Sequence, residues 1–240
     1  MPASKELSVT LIESSATQRL QPVAFDLYRD IHKGIRGELF NLVLDTGRID
    51  PHDDCEAAAL ADQVRRTVQL LVDHAGHEDN AIQPALELHA PALAARVASD
   101  HFDLDNRMEW LVELASEAQR SPSRRGPVHE LYIELASFTS AYLLHQDLEE
   151  RQVSQALESA LGVDGLLGIH IAIVGNMAPQ KMIAGLAAML PVMNVDDRTE
   201  LLGGMKATAP EEAFDGVWSL TKSVLTPADS RAVAARLGIV

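Results

Sequence analysis

Positive charge is scarce in this chain. Its 20 Lys and Arg stand against 35 Asp and Glu, leaving a formal net charge of −15. A surface this acidic repels phosphate backbones and anionic lipid, so neither nucleic acid nor membrane is an expected partner. Cysteine is nearly absent: Cys55 stands alone, which excludes an internal disulfide and any Cys-based zinc site. Aromatic residues make up only 4% of the chain, and Ala and Leu dominate, which favours helix over sheet. No apolar run follows a basic start, and no 18-residue apolar span is expected to cross a membrane. The expected compartment is the cytoplasm. HExxH, GxGxxG, P-loop and GxSxG elements are missing, which removes the zincin, dinucleotide, nucleotide and serine-hydrolase readings. None of the nine histidines has Glu three residues before it, so the Glu-x-x-His pairs of ferritin-like sites are missing too.

The chain does have apolar content, at 47% of its 240 residues, enough for a sizeable core. Its patterning predicts an all-α protein. Residues 1–15 read as a tail. Long helices are expected over about 17–45, 53–88, 91–119 and 128–161, with short connections between them. These make an up-down-up-down four-helix bundle over 16–162. Residues 163–240 differ in texture and read as a C-terminal helical subdomain. Short helices are expected there after Ala178-Pro179, Asn194, Ala209-Pro210 and Thr226-Pro227, each a cap or proline placed before a helix start. Its methionines suit adaptable core filling, with a docking or homodimer surface as the sharper alternative.

Four histidines fall on the four expected long helices: His32, His74, His101 and His145. Residues four apart on a helix lie on one face about 6 Å from each other, so a histidine and a carboxylate at that spacing reach one point. His74 with Glu78, His101 with Asp105 and His145 with Glu149 have this spacing. His52 with Glu56 has it as well, but adjoins Pro51, Asp53 and Asp54 and reads as a helix start. Depth is the second test. His101 lies about 20 residues before the 121–126 loop and His145 about 19 after it, so each is roughly 30 Å from that loop. The other connections give similar matches, and all four histidines can share one layer. Imidazoles and carboxylates converging inside a bundle form a metal pocket.

At these residues the chain resembles the hemerythrin-like family of HHE cation-binding domains, over about 20–155. The resemblance rests on IHKGIRGELF around His32, HAGHEDNAIQPAL around His74 and Glu78, DHFDLD around His101 and LLHQDLEE around His145 and Glu149. It implies a non-haem centre of two iron ions with a bridging oxo or hydroxo group, zinc or another divalent metal being the alternative. The four histidines would supply nitrogens, and Glu78 and Glu149 would bridge. About two of roughly 12 coordination positions would then remain for water or a diatomic ligand. The chain departs from the oxygen-carrying hemerythrins in two ways. Asp105 stands where they have a further histidine, and one residue fewer separates His145 from Glu149. A carboxylate-richer or more open centre suits reaction with oxygen or peroxide, nitric oxide binding or iron sensing better than reversible oxygen carriage.

His77, Asp105, Tyr28 and Tyr142 are the candidates to stand behind the ligands. The two tyrosines lie one turn before His32 and His145, where a phenol can donate to a bound peroxide or instead pack in the core. No catalytic residue is assigned. The reading is a di-iron binder or sensor of oxygen, nitric oxide or iron; the alternatives are a di-iron oxidoreductase acting on peroxide or nitric oxide, and a bundle that binds zinc or nothing.

Overall fold

Residues 19–239 are described by a computed structural model, and among them every regular element is helical. The first helix, α1 (Arg29–Thr46), is shorter than expected. Residues 17 and 18, like the whole of the expected tail, lie outside the described part, and 19–28 are irregular. Pro22 disfavours helix just before it, and the Asp26 carboxylate accepts from the backbone N–H groups of Tyr28 and Arg29, both at 3.0 Å. That turn fixes where α1 begins. The second expected helix is split into α2 (Asp54–Ala81) and α3 (Gln83–His89). Pro84 explains the split: it has no N–H to continue the ladder, and its ring excludes the carbonyl four residues back. At the other end of α2, Asp53 accepts from Cys55 and Glu56 N–H and acts as the N-cap.

The third expectation corresponds to α4 (Pro91–Arg120). The fourth helix breaks at Gly162, where it is expected to stop, although helix resumes beyond it. The run passes through α5 (Arg125–Leu148), a π-helical turn (Glu149–Val153) and α6 (Ser154–Asn176), the last of these interrupted at Gly162. Gly162 takes φ 63° and ψ −175°, which is not helical, so α6 consists of two helical pieces that meet at a kink there. The expected boundary at 162/163 coincides with this break.

Helices α1, α2, α4 and α5 each contact the next, and α5 returns to α1, which closes an up-down-up-down bundle. Its core has two apolar layers. One is built from Ile35, Leu39, Val64, Leu71, Leu104, Leu111, Leu131 and Phe138. The other contains Tyr28, Ile82, Leu86, Val97, Leu148, Val153, Leu157, Leu166 and Ile169. On every helix the candidate histidines, with Glu78, fall between the two, and Glu149 follows at the edge of the second, between Leu148 and Val153. His32 lies between Tyr28 and Ile35, His74 and Glu78 between Leu71 and Ile82, His101 between Val97 and Leu104, and His145 between Tyr142 and Leu148. Each fully buried aliphatic side chain in these layers contributes about 1.5–3 kcal/mol. That burial offsets the cost of a polar layer in the middle.

The C-terminal part forms α7 (Pro179–Val192), α8 (Val195–Thr208), α9 (Glu211–Val224) and α10 (Pro227–Leu237). All four begin at the expected signals. Asn194 accepts from Asp196 and Asp197 N–H, and Thr226 from Asp229 N–H. These helices share a small core of Leu186, Leu190, Leu202, Leu225 and Val233. Buried Arg198 donates to the Leu190 and Pro191 carbonyls at the end of α7 (2.7 and 3.1 Å).

Helix α7 lies directly on α1, and glycine permits the approach. A Cβ at Gly34 would sit 3.1 Å from the Met189 backbone nitrogen and 3.2 Å from the Ala188 carbonyl carbon; at Gly37 it would sit 2.6 Å from Val192 Cγ1. Ion pairs Lys33–Asp197 and Arg29–Glu200 (3.1 Å) tie α1 to α8, and Lys181–Asp73 (2.7 Å) ties α7 to α2.

One expectation about apolar length needs correction. The run Arg125–Asn176 contains an 18-residue window of mean hydropathy 1.6, only 17% buried, and passes for a membrane span by length and composition. Leu167, Ile171 and Val174 of α6 are among its exposed side chains. The run escapes a reading for continuous apolar residues because Gly162, Asp164 and His170, among others, interrupt it.

Candidate metal centre

The polar layer brings six side chains from four helices to one place, and all six are buried. His32 (α1) and His74 (α2) face each other through Nε2, 3.2 Å apart. His101 (α4) and His145 (α5) do the same at 3.1 Å. Two carboxylates lie between the pairs. Glu78 places Oε1 3.2 Å from His74 Nε2 and Oε2 3.5 Å from His101 Nε2. Glu149 places Oε2 3.4 Å from His32 Nε2 and Oε1 3.2 Å from His145 Nε2. Each carboxylate thus touches both histidine pairs. Two donor sets result, His32/His74/Glu78/Glu149 and Glu78/His101/His145/Glu149, each with ligand atoms within 4.8 Å of one another.

The donor set fits a cation. Both oxygens of Glu78 and Oε2 of Glu149 are buried without a hydrogen-bond partner. A buried acceptor left in this state costs about 1–3 kcal/mol, and more when charged. Three such oxygens beside four imidazole nitrogens make up the ligand chemistry of a transition metal.

Carboxylates outside the cage set the histidine tautomers. His32 Nδ1–H donates to Glu150 Oε1 at 2.9 Å, and Arg36 grips the same carboxylate with two bonds of 2.7 and 3.0 Å. His101 Nδ1–H donates to Asp79 at 2.9 Å. With Nδ1 protonated, a neutral ring turns its Nε2 lone pair inward. His145 Nδ1 lies 3.7 Å from Asp100, an ionic contact too long for a hydrogen bond.

The π turn explains how consecutive glutamates serve one ring. Its i→i+5 bonding sets neighbours at a smaller angle than the 100° of an α-helix. Glu149 reaches Nε2 of His32 while Glu150 reaches Nδ1. The Glu149 carbonyl accepts both the N–H of Ser154 and its hydroxyl, the latter at 3.2 Å.

Burial and mutual charge set the protonation of the metal-free layer. Burial lifts Glu78 well above the usual carboxylate range, and the charge of Glu149 adds to this. Burial pushes Glu149 upward as well, but the hydrogen bond and charge of His145, with the charges of His32 and His101, hold it below the ordinary value. Burial opposes a charge on His145, yet Asp100, Glu149 and Glu78 outweigh it and raise its pKa to about 9. His74 is driven well below its ordinary value by burial and then by the other histidines.

A model of the hemerythrin HHE cation-binding domain matches residues 23–161, more than half of the 240-residue chain. The chain belongs to this family. No curated protein and no solved structure matches it. As an HHE domain, the bundle binds metal cations, and its buried His/Glu clusters are the place to hold them.

The other candidates divide. Tyr28 packs on His32 with ring centroids 4.8 Å apart, and Tyr142 meets His145 edge-on at 5.9 Å. Both phenols are raised well above their ordinary pKa, by burial first and then by the charges of Glu149 and Glu78. Asp105 is exposed on α4 and belongs to neither donor set. His77 also lies outside both sets; it is half-buried, and burial and the charge of Lys181 on α7 lower its pKa. Helical spacing does not single out Glu150, Asp79 or Asp100, and it leaves Arg36 on an exposed face or in a salt bridge. A signal for the three acids is nonetheless present: each directly adjoins a candidate ligand in the sequence, as Glu149-Glu150, Glu78-Asp79 and Asp100-His101.

Proposed function

We propose that the HHE domain is a non-haem di-iron binding protein that binds or senses oxygen, nitric oxide or iron. One observation carries this reading: two donor sets share Glu78 and Glu149 as common members. His32 and His74 would hold one ion, His101 and His145 the other, and the two glutamates would bridge. Iron, when bound, supplies two redox states and an open position for a small diatomic ligand. The chain's own groups do the rest. Apolar layers above and below the cage exclude water. Glu150 and Asp79 orient His32 and His101 through Nδ1.

A second reading, an oxidoreductase consuming peroxide or nitric oxide, is favoured by the two tyrosines. Each is buried, stays protonated and lies against a candidate ligand, so each holds a proton beside the site. Elemental analysis with a visible spectrum tests both readings; about two irons per chain is the expected result, and a zinc-loaded or metal-free protein would refute them. Mixing with peroxide then separates them. A stoichiometric spectral change marks the binder and rapid multiple turnover the enzyme.

A further inference from the structure

The acids behind the histidines are unevenly distributed. Behind His101 and His145 stand Asp79 at 2.9 Å and Asp100 at 3.7 Å. Neither has a Lys or Arg ion pair among the described residues. The His101/His145 half therefore carries two uncompensated negative charges on its outer side. Behind His32 stands Glu150, and Arg36 neutralises it through two bonds. Behind His74 there is no acid: among the described residues no carboxylate contacts its Nδ1, and its sequence neighbour Asp73 is paired with Lys181. The outer charge of the His32/His74 half sums to zero.

We propose that this imbalance makes the two cation subsites unequal, with the His101/His145 half the tighter one and first to fill. The proposal rests on the two-ion reading above. An outer carboxylate that hydrogen-bonds a ligand imidazole makes it a stronger donor, and its charge attracts the cation through a low-dielectric interior. On one half Asp79 acts in both ways, and Asp100, too distant for a hydrogen bond, by its charge alone. On the other half Glu150 fixes the ring of His32, while the Arg36 guanidinium cancels its charge and repels an incoming cation. Asp79, Asp100 and Arg36 are positioning and charge-setting residues; none is itself a ligand.

Loss of such a partner typically weakens metal binding about 10- to 100-fold, which sets the expected gap between the subsites. The test is calorimetric titration of the metal-free full chain with Zn2+, which has no redox chemistry, with circular dichroism to confirm the fold of each variant. Two resolved steps are expected in the parent. Repulsion between two ions alone would also separate the steps, so the variants decide which half is which. His101→Ala should abolish the tight step and His32→Ala the weak one. Asp79→Asn, at an exposed side chain that tolerates change, should weaken the tight step about 10-fold or more and leave the weak one in place. Arg36→Met should tighten the weak step, a gain that loss of structure does not produce. The proposal is overturned if His32→Ala removes the tight step, if Asp79→Asn and Arg36→Met leave both steps unchanged, or if the two steps coincide in the parent. Fewer than two ions bound in the parent would overturn the two-ion reading itself, and this inference with it.

Discussion

The Nδ1–H of His32 donates to the carboxylate of Glu150 at 2.9 Å, across 118 positions of sequence. The bond ties the first helix to the π turn of the last one and turns the free nitrogen of the ring toward His74 and Glu149. The cage is thus defined from outside as well as from within, and this shapes what each substitution should do.

His74→Ala and Glu149→Ala should each lower metal content sharply, since the first removes a nitrogen and the second a carboxylate common to both donor sets. Glu149→Ala should empty both positions, whereas His74→Ala should spare much of the second. Metal analysis of the purified variants checks this. Full occupancy in both would refute the ligand assignment.

The metal-free protein should lose stability as pH rises from about 6.5 toward 9. His145 has its folded pKa raised from 6.5 to about 9, so its contribution is complete below 6.5 and is lost as pH climbs through the folded value. Glu78, raised by burial, pulls the same way, because ionising it in place is unfavourable. Thermal melts of chelator-treated protein across this range should show a falling midpoint, and His145→Ala should flatten the slope. A midpoint that rises with pH would contradict the assignment.

Acid should act through Glu150. Burial opposes its charge, but His32 and Arg36 bring its pKa down from 4.5 to about 2. Its contribution is present above 4.5 and is lost as pH falls through about 2. In the metal-free chain Glu150→Gln should remove that part of the acid limb. Melts of the parent and the variant between pH 5 and 2 would reveal it; identical curves would show that the pair adds nothing.

Gly34→Ala should destabilise the packing of α7 on α1, because the added methyl meets backbone atoms that cannot swing aside. Overpacking of this kind costs about 1–3 kcal/mol, more than the roughly 0.5–1 kcal/mol a helix gains from Ala over Gly. Gly37→Ala meets only the Val192 side chain, and Val192→Ala should rescue it. Hydrogen exchange of 179–192 reads both effects.

Much of this was legible in the sequence, for physical reasons. Helix period and cap chemistry are local, so α4 and the starts of α7 to α10 could be read off Pro, Asn and Thr positions. The common depth of His32, His74, His101 and His145 followed from a constant rise per residue, and the structure brings those four together with Glu78 and Glu149. The hidden features depended on contacts or on departures from regular pitch. Glu150 and Arg36 lie 114 positions apart, and no periodicity links them. The π turn bends the α rule inside an otherwise ordinary helix. Asp105 has the four-residue spacing from His101, yet it is exposed, because spacing fixes a face of the helix and not the inward lean of a side chain.

The turn at Glu149–Val153 also governs the helix beyond it. One extra residue there offsets the azimuth of the helical piece that runs on to Gly162, so that Leu157 joins Phe25, Leu27 and Leu86 in one buried cluster and does not face water. Regularising the pitch by deleting a single codon would swing that seam away from its partners and pull apart the two carboxylates that hold His32. Cation binding and the packing of the helix just beyond the turn are therefore inherited together, and neither can drift without disturbing the other.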